Sequence, residues 1–247
     1  MPSKLAIIAG AGELPARLLD ACRAAGRETF VLAIEHHADT SLVAGAEHAW
    51  VRLGAVGEAL RILRAQGIEE LVLAGSVGRP TLADLRPDAR ALKILAKGVL
   101  NGGDDGLLRT VIQTLERDEG FRVIGAQDLL AGELAPSGRI GAIAQDTLAD
   151  ADIARGIEDA RAMGAVDLAQ AVVVQQGIVL GVEAVEGTDA LIERAGHLRR
   201  GGPGGVLVKL PKPRQELRAD LPVIGQRTVE RAAQAGLRGI AVAAGAT

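Results

Sequence analysis

Short apolar runs and helical periods alternate along the first half of this chain. Residues 4–9, Lys4-Leu-Ala-Ile-Ile-Ala, hold five consecutive apolar residues after Lys4, a run too short for a helix, and read as a buried strand. Residues 14–25 read as a helix and 28–34 as a second strand. Residues 58–66 have helical spacing, with Leu60 and Leu63 apolar, and 70–74 form another buried strand. Two helices, about 89–100 and 106–116, precede a short strand at 121–125. Strands alternating with helices predict a mostly parallel sheet.

Residues 131–145 break the pattern. They carry Pro136, Ser137 and several glycines without periodicity, and predict a linker between an N-terminal domain, 1–130, and a C-terminal domain, 146–247. The second half opens with a helix near 148–163. Apolar strands at 171–174 and 178–185 flank Gln176-Gly177 and predict a hairpin. A helix at 189–195, a strand at 206–209, a helix at 228–235 and a strand at 239–243 follow, with a Gly-rich loop at 199–205. The fold class is α/β: two small α/β domains, the first with a Rossmann-like, mostly parallel sheet and the second with a mixed sheet.

Composition narrows the functional classes. A net charge of -3 gives no field that favours nucleic acid. The only aromatic residues are Phe30, Trp50 and Phe121, so a base stacked between rings is disfavoured, and single-stranded nucleic acid with it. Any nucleotide must be read by backbone groups, small apolar side chains and polar contacts. No apolar run approaches the roughly 18 residues needed to span a bilayer, and the N-terminal run is too short for a signal peptide. The one cysteine, Cys22, fits a reducing compartment. The expectation is a soluble cytoplasmic protein, with contact at a membrane surface left open.

Several segments carry candidate chemistry. Gly10-Ala11-Gly12-Glu13-Leu14-Pro15 joins the first strand to the first helix, where free N–H groups make a natural phosphate site. Gly10 and Gly12 match a dinucleotide fingerprint, and Glu35 lies near the place of its ribose-binding acid, but Pro15 stands where the third glycine belongs. Phosphate or nucleotide binding, a plain strand–helix turn and NAD binding all remain open. Gly75-Ser76-Val77-Gly78-Arg79-Pro80 follows a strand at its C-terminal end, where parallel sheets bind ligands; Arg79 either meets a phosphate or is a solvated residue of an exposed turn.

Asn101-Gly102-Gly103-Asp104-Asp105-Gly106 is an acidic pair between helices, suited to Mg²⁺ or to capping the next helix. Thr188, in Glu186-Gly187-Thr188-Asp189, either caps a helix or meets a ligand, and capping is the simpler reading of that segment alone. Residues 209–225 hold three prolines and dense charge: Lys209, Lys212, Arg214 and Arg218 surround Glu216 and Asp220. A carboxylate among cations can hold a metal or a water beside phosphate; the plain alternative is an exposed charged loop. His36, His37 and His48 have no ligand-spaced partners and read as surface residues.

In order, residues 10–15, 74–80, 103–105, 176–177, 186–189 and 212–228 resemble the motifs of the LpxI-type UDP-2,3-diacylglucosamine pyrophosphatases, over nearly the whole chain. The resemblance implies hydrolysis of a UDP-linked diacyl amino sugar to UMP and 2,3-diacylglucosamine 1-phosphate, a step of lipid A biosynthesis. It also implies Mg²⁺ or Mn²⁺ and a site between two α/β domains. It maps the family's catalytic aspartate to Asp220, and Gly12, Leu14 and Pro15 to its nucleotide loop. Gln170 and Thr188 map to polar positions of the substrate site.

On this reading Lys209, Lys212 and Arg79 offset phosphate charge, Asp104 and Asp105 are further metal candidates, and Gly10, Ala11, Gly75 and Val77 complete the substrate loops. A diacylated substrate implies an apolar groove and peripheral contact with the inner membrane, where Arg194, His197, Arg199 and Arg200 are candidates for lipid headgroups, a solvated loop being the simpler reading of those residues. The family pattern continues past 239–243 with a further helix and strand, whereas this sequence stops at Thr247. The competing readings are an NAD(P)-dependent oxidoreductase and a non-catalytic nucleotide-sensing module.

Overall fold

The computed structural model describes residues 3–78, 85–101, 103–213 and 215–247. The chain divides into two compact units, Met1–Glu133 and Leu134–Thr247. The division falls inside the stretch expected to be a linker. Residues 134–145 belong with the second unit, and Ala135 is tied to its last residues: the Ala135 N–H donates to the Thr247 carbonyl (2.9 Å) and the Gly245 N–H to the Ala135 carbonyl (2.9 Å).

In the first unit, β1 (Leu5–Ala9), β2 (Thr29–Ile34), β3 (His48–Val51), β4 (Glu70–Ala74) and β5 (Arg122–Val123) form one sheet. Its order is β3-β2-β1-β4-β5 and every pairing is parallel. The expected strand at 121–125 shrinks to two residues, and the edge strand β3 was not expected. The apolar runs of β1 and β2 are nearly continuous because helices cover both faces of a parallel sheet. Helix α1 (Leu14–Ala24) buries Pro15, Leu18, Leu19 and Cys22, the i, i+3, i+4, i+7 stripe of one helix face. These pack on Leu5, Ile7, Ala9, Val31 and Val72. Burial pushes the Cys22 thiol up, so Cys22 is a packing residue rather than a reactive one. Helix α2 (Val56–Ala65) buries Leu60 and Leu63. Helices α3 (Ala89–Asn101) and α4 (Gly103–Gln113), and the short α5 (Ala126–Leu129), complete the unit.

In the second unit, β6 (Ala171–Gln175), β7 (Ile178–Val182), β8 (Val206–Lys209) and β9 (Gly239–Val242) form a mixed sheet of order β7-β6-β8-β9. Only β8 and β9 run parallel. Successive residues alternate between faces. Val172, Val174, Val206 and Val208 meet Ala149 and Ala160 of α6 (Thr147–Ala165). Ala171, Val173 and Leu207 meet Leu191, Ile192 and Ala195 of α7 (Gly187–His197) and Ala232 of α8 (Gln226–Gln234).

The β6–β7 turn has positive φ at both Gln176 (53°) and Gly177 (73°), as a two-residue hairpin requires. Asp152 of α6, only 3% exposed, holds that turn. Its carboxylate accepts the Gln176 N–H (3.0 Å) and the Gly177 N–H (2.7 Å). The Gly-rich loop at 199–205 is pinned by the buried Gln175 amide, which donates to the carbonyls of Arg200 and Pro203 and accepts the Arg200 N–H. Among the described residues no helix is long and apolar enough to cross a membrane.

Candidate active site

The candidate residues gather in two places, one in each unit. In the first unit the chain leaves β1 towards β2 and β3 on one side of the sheet, while β4 and β5 lie on the other. The C-terminal ends of β1 and β4 are therefore the topological switch point, where open parallel sheets take ligands. The two glycine loops meet there. The Ala11 N–H donates to the Ser76 carbonyl (2.8 Å), the Ser76 N–H to the Ala11 carbonyl (2.9 Å), and the Gly10 N–H to the Ala74 carbonyl (2.8 Å).

This meeting gives the glycines separate roles. A Cβ on Gly10 would lie 2.5 Å from the Ser76 carbonyl oxygen, and one on Gly75 would lie 2.5 Å from that of Ala11. Those two glycines admit the neighbouring loop. Gly12, at φ 97°, has nothing among the described residues within 4 Å of a Cβ position, unlike Gly10 and Gly75. Leu14 is half-buried and Pro15 is buried on the core face of α1, so Pro15 sets the helix start rather than presenting a surface. The N-cap Glu13 makes no side-chain cap, which leaves the first-turn amides to other partners. Val77 is exposed. Arg79 lies outside the described residues. Asp104 and Asp105 stand in the first turn of α4, not in the loop the flanking glycines suggest.

In the second unit one end of the sheet collects Gln170, Glu183 and Lys209. β6 starts there while β7, β8 and β9 finish there, because β6 runs antiparallel to both neighbours. Ala171 pairs with Lys209, and the Glu183 N–H donates to the Ala171 carbonyl (2.9 Å). Helix α7 begins at the same end and brings Thr188. The Thr188 hydroxyl donates to Glu183 Oε1 (2.6 Å), and Lys209 Nζ donates to Thr188 Oγ1 (2.9 Å) and to the Val223 carbonyl (3.4 Å). Thr188 therefore does not cap α7, whose N-cap is Glu186. Lys209 is buried. Burial pulls its ammonium pKa below the ordinary lysine value, against the opposing pull of Glu183, Asp220 and Asp189.

The proline-rich segment returns to this end. Gln215, whose residue type alone marks no site, acts as a buckle there. Its side-chain oxygen accepts the Lys212 N–H (2.8 Å), and its amide donates to Asp220 Oδ2 (2.6 Å) and Gln170 Oε1 (3.4 Å). Asp220 is exposed. Lys212, expected to meet phosphate, is engaged by Asp167 instead: Nζ donates to Oδ1 at 2.5 Å. Arg194 pairs with Glu186. Among the described residues no group of three or more His, Cys, Asp or Glu forms a metal cage. Asp220 nevertheless offers a hard oxygen donor, and one carboxylate together with substrate phosphate is a sufficient protein contribution for Mg²⁺.

Comparison with known proteins decides the family. The LpxI N-terminal domain matches residues 4–132 and the LpxI C-terminal domain matches residues 136–247. The chain belongs to the LpxI family. A UDP-2,3-diacylglucosamine pyrophosphatase LpxI of Caulobacter vibrioides is 43% identical over 98% of this chain and 89% of its own length. Among solved structures, the chain has a TM-score of 0.32 to the UDP-glucose 4-epimerase of Thermus thermophilus in complex with NAD, at 16% identity over 58% of this chain and 43% of that one. Its TM-score to the glycinamide-RNase-transformylase T of Mycobacterium tuberculosis is 0.28, at 14% identity over 73% of this chain and 43% of the other. The two LpxI domains thus coincide with the two compact units, and each LpxI half carries one of the two residue groups.

Proposed function

We propose that this chain hydrolyses the diphosphate of UDP-2,3-diacylglucosamine, giving UMP and 2,3-diacylglucosamine 1-phosphate. The observation that carries this reading is the 43% identity, over 98% of the chain, to a pyrophosphatase of that name. In the reaction a water oxygen bonds to one phosphorus and the bridging P–O bond breaks. The bridging oxygen leaves with the other phosphate. Catalysis of this kind needs a positioned water and charge neutralisation more than covalent chemistry.

The second unit supplies groups of those types. Asp220 orients the water and accepts its proton, and Gln215 fixes the carboxylate through Oδ2. Lys209 offsets charge as the bond breaks, helped by Lys212 when it leaves Asp167 and by Arg79. The loops carrying Gly10, Ala11, Gly12, Gly75 and Val77 hold the nucleotide side through backbone amides, and Gln170 and Thr188 line the substrate site. Asp220 would hold Mg²⁺ or Mn²⁺, with Asp104 and Asp105 as second candidates. When bound, the ion supplies Lewis-acid polarisation of the phosphate oxygens. The diacyl chains place the enzyme on the cytoplasmic face of the inner membrane as a peripheral protein, each buried CH₂ contributing about 0.8 kcal/mol.

The test is incubation of the purified protein with the lipid substrate and Mg²⁺, following UMP. Release of UMP that stops after exhaustive EDTA treatment and returns with Mg²⁺ or Mn²⁺ is the expected result. No UMP under any of these conditions refutes the activity, and full turnover after EDTA treatment refutes the role of the ion.

A further inference from the structure

Glu183 is a costly residue for its position. It is 8% exposed, and its Oε2 is sealed from solvent without a hydrogen-bond partner among the described residues. A buried carboxylate with one idle oxygen is disfavoured by desolvation unless something nearby needs its charge. Its Oε1 takes the proton of the Thr188 hydroxyl at 2.6 Å. A threonine hydroxyl has one proton and two lone pairs. With the proton committed to Glu183, the oxygen can only accept, and it accepts from Lys209 Nζ at 2.9 Å. The direction of the chain is thereby fixed: ammonium to hydroxyl to carboxylate.

We infer that Glu183 is a positioning residue for the pyrophosphatase reaction: by taking the Thr188 proton it turns the Thr188 oxygen towards Lys209 and holds the ammonium charged and aimed at the substrate phosphate. The inference rests on the proposed activity. It assigns Thr188 a different part from a donor to substrate, since its only proton is spent inside the protein. Of the three ammonium protons, one goes to Thr188 and one to the Val223 carbonyl, which leaves one for phosphate. Charged groups reach Lys209 from each neighbouring segment: Glu183 after β7, Asp189 on α7 and Asp220 in the proline-rich loop. Asp189 is itself neutralised by Arg227 and Arg231 of α8, and Asp220 is exposed, so Glu183 is the buried counter-charge. Its pull on Lys209 opposes the burial that favours the neutral amine.

The test compares wild type with Glu183→Gln, Glu183→Asp, Thr188→Val and Thr188→Ser. Lysines carrying ¹³C at Cε report ionisation directly, and the chain has only Lys4, Lys93, Lys97, Lys209 and Lys212 to resolve. In Glu183→Gln the Lys209 midpoint should move to lower pH. Turnover at neutral pH should fall roughly tenfold to a hundredfold, as for the partners that orient metal ligands, with KM changed much less. Glu183→Asp and Thr188→Ser should recover part of the loss, and Thr188→Val should resemble Glu183→Gln. An unmoved Lys209 midpoint in Glu183→Gln overturns the inference. So does a lower melting temperature with unchanged turnover per folded molecule, which is the mark of a purely structural glutamate. Failure of the wild type to release UMP sinks the proposed activity, and the Lys209 midpoint still decides whether Glu183 holds the ammonium.

Discussion

Removing the Asp152 carboxylate should loosen the second unit at the hairpin turn while sparing the chemistry at the opposite end of the sheet. Asp152 is 3% exposed and accepts two backbone N–H groups, from Gln176 at 3.0 Å and Gly177 at 2.7 Å. Hydrogen bonds to a charged acceptor contribute about 1.5–3 kcal/mol each. Both donors sit in an exposed turn where water regains part of the loss, so the lower figure applies. Asp152→Asn keeps one acceptor oxygen and should lose about 1.5 kcal/mol, and Asp152→Ala should lose about 3 kcal/mol. For a unit of this size that corresponds to Tm shifts of about 6 °C and about 12 °C. Far-UV circular dichroism follows the melt, and amide exchange at Gln176 and Gly177 locates it. Trp50, the only tryptophan, lies in β3 of the first unit, so its fluorescence follows the first unit separately. Asp152→Ala with a wild-type melt and protected turn amides would refute the staple.

Three further outcomes are expected. Asp220→Ala and Asp220→Asn should lower turnover about a hundredfold or more while leaving the melt unchanged, because the carboxylate is exposed; wild-type UMP release would remove Asp220 from the mechanism. Gly156→Ala places a Cβ 2.5 Å from Val208 Cγ2 at the α6–sheet contact, and overpacking there should cost about 1–3 kcal/mol, read as a lower urea midpoint. Lys209 titrates below the ordinary lysine value of 10.5. Between its lowered pKa and 10.5 the unfolded chain therefore binds more protons, and stability should rise with pH through that window. The cost of the buried ammonium is fully present below the window, and Lys209→Met should remove the rise in a series of urea midpoints.

The sequence carried the fold well and the site unevenly. Long apolar strands such as β1, β2 and β6 are legible because both faces are buried and their composition is uniform. β3 is not, since His48 is exposed and only Val51 of its four residues is buried. The glycine pair around Asp104 and Asp105 signals a loop, yet the chain re-enters a helix at Gly103. Gly10, Gly12, Gly75 and Asp220 stand out as residue types in unusual segments. Glu183, Gln215 and Asp152 do not. Glu183 reads as one more position of an apolar strand, and Asp152 as a polar position on a helix. What gives each its role is a partner brought near by the fold, such as Gln176, 24 positions along the chain from Asp152. Thr188 shows the same limit: capping and side-chain relay look alike until Glu183 is placed.

The two-rung antiparallel clasp between Ala11 and Ser76, set on the crest of an otherwise parallel sheet, ties the fates of two distant codons. Gly10 and Gly75 each admit the other loop's backbone, so a side chain at either one has no compensating change available at the other: a bulkier residue opposite can only worsen the clash. In a saturation-mutagenesis library both positions should be depleted of every substitution, singly and as pairs. Gly12 should behave differently. With no described residue within 4 Å of a Cβ there, its backbone angle is what limits it, and it should keep a narrow tolerance for asparagine and aspartate. Its neighbour two residues back should have none.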